Sequence, residues 1–70
     1  MIRDSTMVSG RFELTLARIR AEYVEMPGLV LLARQLERLC GLEPVLCQLA
    51  LDSLVRTRFL RRRADGAYIR

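Results

Sequence analysis

Three breaks divide this 70-residue chain: Pro27-Gly28, the pair Gly41-Leu42 with Glu43-Pro44, and Asp65-Gly66. Proline lacks an N–H and glycine lacks a Cβ, so a regular helix does not run through such points. The pieces between them are short, and each has to bury its apolar face against the others. Domains of this length sit near the lower limit for a self-sufficient core, which rarely contributes more than about 3–5 kcal/mol. The 51% hydrophobic content, rich in leucine and with only four aromatic residues, suits helices better than a β-sandwich.

Before the first break, Phe12, Leu16, Ile19, Tyr23 and Met26 recur at steps of four and three, which predicts one helical face directed to a core. Ser9 or Gly10 is placed to cap this helix near Arg11, and residues 1–8, which show no period, are expected to be a disordered N-terminus. Domain 9–70 follows. On the other face Leu14, Ala17, Ala21 and Val24 form a second, narrower apolar stripe, spaced like a coiled-coil seam. A homodimer through this helix is the expectation.

Leu29-Val30-Leu31-Leu32 is β-tolerant and predicts a three-residue strand. A second helix follows over about Ala33–Cys40 with Leu36 and Leu39 inward, and glycine at position 41 suits its end. Glu43-Pro44 opens a third helix to about Thr57: proline is tolerated in a first turn, and glutamate suits the positive dipole end. Cys47, Ala50, Leu51 and Leu54 share its inner face, with Val55 beside them, and Val45, Leu49, Asp52 and Arg56 its outer one. Asp65-Gly66 between Phe59–Arg63 and Ala67–Arg70 predicts a hairpin. A two-residue loop pairs Arg63 with Tyr68, and a three-residue loop pairs Arg62 with it; in either register an arginine can lie over the Tyr68 ring.

Charge is unevenly spread. Residues 1–55 hold six Arg against seven acidic residues, whereas residues 56–70 hold six Arg against Asp65 alone. A basic end of this kind suits phosphates or acidic partners. All twelve basic residues are arginine, the residue that contacts phosphate through a two-pronged guanidinium.

Several classes of function are excluded by what is missing. With no histidine and two cysteines, Cys40 and Cys47, no metal site is expected, and both thiols read as small core residues. No acid–base pair, nucleophile with a base or phosphate-cradling loop is present, so neither an enzyme nor a cofactor is expected. Residues 2–6 lead into no secretory apolar stretch. The longest apolar run, Leu29–Ala33, is far short of the roughly 20 residues a membrane span needs. A cytoplasmic protein with no membrane role is expected.

The order helix, short strand, helix, tight turn, helix, hairpin resembles a winged helix-turn-helix domain, an α+β, mainly α fold. The stretch "ARQLERLCGLEPVLCQLALDSLVRTRFLRRRADGAYIR" carries the resemblance, with its glycine turn and its Phe-Leu-Arg-Arg…Asp-Gly…Tyr wing. Small bacterial regulators of this superfamily share the pattern. Leu32 stands where such domains place a capping Ser or Thr, and Arg58 where a helix-ending glycine is common. The resemblance implies a DNA-binding, transcription-regulator-like protein whose third helix enters the major groove of double-stranded DNA. Gln48 would read base edges. Arg56, Arg58, Arg61, Arg62 and Arg63 would meet phosphates, with the ribbon and the third helix's outer face on one side. The alternative is a winged-helix module that binds a protein partner through Val45, Leu49 and their apolar neighbours Val30 and Leu32.

Overall fold

The computed structural model describes the backbone of residues 3–70 and the side chains of residues 10–70; Met1 and Ile2 fall outside it. Helix α1 spans Arg3–Glu25, so it begins eight residues before Arg11, and Ser9 and Gly10 lie within it instead of capping it. The disordered N-terminus expected for residues 1–8 falls among residues whose side chains are outside the description. Leu16, Ile19 and Tyr23 of α1 are buried and Phe12 packs against them, as the spacing predicts. Met26 is 55% exposed, because the helix stops at Glu25 and the chain has already left the helical path.

Helix α2 spans Ala33–Cys40 and α3 spans Pro44–Arg56. Leu36 is fully buried, but Leu39, expected beside it, is 46% exposed. On so short a helix only one row reaches α3, and Leu39 lies off that row. Gly41 ends α2 in the left-handed region (φ 65°), and the Leu42 N–H returns to the Glu37 carbonyl at 2.9 Å. Pro44 opens α3, whose buried row is Cys47, Ala50, Leu51 and Leu54.

Strands β1, Arg61–Arg62, and β2, Tyr68–Ile69, pair antiparallel with Arg62 opposite Tyr68 and Arg61 opposite Ile69. This is the three-residue loop. Arg63 receives the Gly66 N–H on its carbonyl at 2.9 Å and donates its own N–H to the Ala67 carbonyl at 2.7 Å. Gly66, at φ 90°, takes the left-handed position that such a loop requires. The Asp65 carboxylate closes it by accepting the Ala67 N–H at 3.1 Å.

The strand expected at Leu29–Leu32 shrinks to one bridge, at Leu31, which exchanges hydrogen bonds with Tyr68 at 3.2 and 2.7 Å. With β2 only two residues long and Leu32 already serving as the N-cap of α2, one pair is all that can form. β2 therefore lies between Leu31 and β1. Among the described residues the result is three helices and a C-terminal hairpin, a mainly helical fold. One core holds Leu16, Ile19, Tyr23, Leu36, the α3 row, Leu60 and Tyr68.

Candidate nucleic-acid interface

The outer face of α3 begins at Glu43, the N-cap, and runs through Val45, Gln48, Leu49, Asp52 and Arg56, all exposed. Val45 is 71% and Leu49 54% exposed. With Arg11, Glu43 and Leu46 they border a cleft of about 200 Å³. Leu32 borders a different groove, with Arg34, Gln35 and Arg38. The four apolar residues Val30, Leu32, Val45 and Leu49 thus do not share one pocket.

Gln48 does not stand free. Its Nε2 donates to Asp52 Oδ1 at 2.8 Å and to the Tyr68 hydroxyl at 3.3 Å. The second bond matters for geometry, because Tyr68 belongs to β2: the outer edge of α3 and the ribbon touch at this point. Tyr68 is otherwise inside, 3% exposed, and its carbonyl accepts the buried Tyr23 hydroxyl at 2.8 Å. Among the described residues no arginine lies over the Tyr68 ring, contrary to expectation, because that ring is packed into the core. The cation–π contact is Arg70 over Phe59, 4.6 Å from guanidinium carbon to ring centre.

The arginines of the ribbon divide by register. Residues directly opposite in a ladder share a face, and neighbours along a strand alternate. Arg62 therefore shares the Tyr68 side, toward α3, and Arg61 shares the other side with Ile69. Arg62 makes no hydrogen bond or ion pair among the described residues, whereas Arg61 donates to the Arg70 carbonyl at 3.5 Å. Arg63 is tied to Asp65 at 2.9 Å, which cancels part of the charge at the tip.

Arg56 and Arg58 are exposed at the end of α3. Arg58 has φ 68°, the only non-glycine residue in the left-handed region among those described. It completes the helix end: its N–H donates to the Val55 carbonyl at 3.0 Å, and the Phe59 N–H donates to that of Leu54 at 2.9 Å. A glycine usually takes this place because the left-handed region costs a side chain about 1–2 kcal/mol.

Two further arginines, Arg34 and Arg38, were not among the residues expected to bind. Four apart on α2 and both exposed, they line the groove beside Leu32, and the signal that marks them is their spacing, which places both on one helical face. Both cysteines are held toward the neutral thiol. Burial pushes the Cys47 thiol up to about 11, with Glu37 and Cys40 adding to it, and Cys40 is raised chiefly by burial as well. No helix among the described residues is long and apolar enough to cross a membrane.

The described residues form three helices, a glycine turn between α2 and α3 and a basic C-terminal hairpin. No protein-family model, curated protein or solved structure matches the chain.

Proposed function

We propose that this is a small winged-helix DNA-binding protein that holds duplex DNA mainly through phosphates. The observation that carries this is the Gln48–Tyr68 contact, which joins the outer edge of α3 to a ribbon with Arg62 turned toward it. Arg56, Arg58, Arg61 and Arg62 supply most of the affinity. Arg63 contributes less while Asp65 holds it. Base readout is limited, since Gln48 must release Asp52 before its amide can address an adenine. The protein is a regulator-like binder with weak sequence preference.

A second reading is favoured by the exposure of Val45 and Leu49 around their cleft: docking of an apolar protein segment there. One titration separates the two. Duplex binding is followed at two salt concentrations for the parent chain, for the triple variant Arg61→Ala, Arg62→Ala, Arg63→Ala, and for Leu49→Glu. Phosphate binding predicts affinity that falls steeply with salt, by about 0.9 in log–log slope per phosphate neutralised, and is lost evenly across sequences in the triple variant. Absence of binding to mixed duplex at low salt rejects the DNA reading. A partner captured by the parent chain and lost only in Leu49→Glu supports the second.

A further inference from the structure

Helix α1 has a face that the fold leaves uncovered. Leu14 is 71% and Val24 55% exposed, and Ala17 and Ala21 between them are exposed as well, on the side of the helix away from Ile19 and Tyr23. Gly10 extends the row, and nothing lies within 4 Å of where its Cβ would be. Gly10, Leu14, Ala17, Ala21 and Val24 follow steps of four, three, four and three, the repeat of a two-stranded coiled coil. With Leu14 and Ala21 at a, and Gly10, Ala17 and Val24 at d, the g positions are Glu13 and Arg20. The e positions are Arg11, Arg18 and Glu25.

We infer that a second copy of this chain covers this face, the two α1 helices running parallel and in register. The charges select both partner and direction. In a parallel pair each g residue meets the e residue five positions on in the other helix, so Glu13 meets the partner's Arg18 and Arg20 meets the partner's Glu25. Both contacts join opposite charges, and the twofold axis repeats them. An antiparallel pair sets e against e and g against g: Glu13 then meets the partner's Arg20, but Arg18 at the centre is set against its own copy. The small residues at 10, 17 and 21 allow close approach, and the helix is already held by its packing face, so pairing has few backbone atoms left to order. Arg18 also reaches Glu22 at 3.2 Å and donates to the Leu39 carbonyl at 3.4 Å, contacts within the chain with which the Glu13 pairing competes.

Sedimentation equilibrium of the full chain without DNA tests this independently of the functional reading. The parent chain is expected to dimerise reversibly, and Ala21→Glu, at an exposed site, to be monomeric with an unchanged circular-dichroism spectrum. Arg20→Glu should weaken the dimer roughly tenfold, and adding Glu25→Arg should restore it. A parent chain that stays monomeric at all attainable concentrations overturns the inference, as does an Ala21→Glu variant that remains dimeric. Rescue of Arg20→Glu by Glu13→Arg in place of Glu25→Arg overturns the parallel direction.

Discussion

Arg58 is the residue whose backbone and side chain pull in different directions. At φ 68° it occupies a conformation that glycine takes at little cost, yet it carries a long charged side chain into solvent. Strained residues persist where the surroundings over-determine them, and often where a function uses the side chain. Arg58→Gly is expected to raise stability by about 0.5–1 kcal/mol, the relief being partly offset by the entropy of glycine in the unfolded chain. The same change should weaken duplex binding. Denaturant melts and a DNA titration on one preparation check both halves; a variant no more stable than the parent contradicts the strain. The sequence marked this position through the missing glycine, but only the structure shows that the chain keeps the helix end and accepts the arginine.

Among the elements, α2 is the shortest helix and starts poorly. Leu32 has no side-chain acceptor, so only the reciprocal half of a capping box forms, with Gln35 Oε1 receiving the Leu32 N–H at 2.7 Å. Leu32 is also not among the half-buried residues packed on the core. Leu32→Ser should complete the box by sharing the Gln35 N–H, which already donates to the Leu32 carbonyl at 3.0 Å, at little cost in packing. A gain of about 1 kcal/mol is expected, seen as a rise of roughly 4–8 °C in Tm. No rise would mean that the Leu32 side chain contributes more than its surroundings suggest. The helices and the hairpin were legible, because the periods of α1 and α3 and the turn residues act locally, whereas the strand expected at Leu29–Leu32 is a single bridge. Element ends were less so: Met26 and Leu39 continue an apolar pattern past the point where a neighbouring element can meet it.

At the scale of the molecule, α1, α3 and the ribbon meet around Tyr23, Tyr68 and Cys47, and Tyr23 and Cys47 link stability to pH. Burial chiefly raises Tyr23 from its ordinary 10.0 to about 12, with the neighbouring Cys47, Tyr68 and Cys40 adding to it, and burial raises Cys47 from 9.0 to about 11. Both are acids whose neutral form the folded state favours. Their contribution is complete below pH 9.0, declines once the unfolded thiol begins to ionise, and is lost as pH passes through about 11 and 12. Unfolding free energy measured against pH should therefore fall across that alkaline window. A flat profile there would mean that these groups are not desolvated. The candidate interface was legible as an arginine-rich end and an apolar outer row. Which arginines are free and which are tied was not, since that depends on the loop register and on Asp65.

The sequence by itself determined the three helices, the inward rows apart from Met26 and Leu39, the hairpin and the bias of charge to one end, because each follows from backbone chemistry or from spacing along the chain. Only the tertiary structure decided that Gln48 is held by Asp52 and Tyr68, that Arg70 covers Phe59 and that Leu31 joins the hairpin. Apart from Gln48–Asp52, one turn of α3 apart, those contacts join residues distant in sequence, and their partners are chosen by how the three helices and the ribbon fill space together.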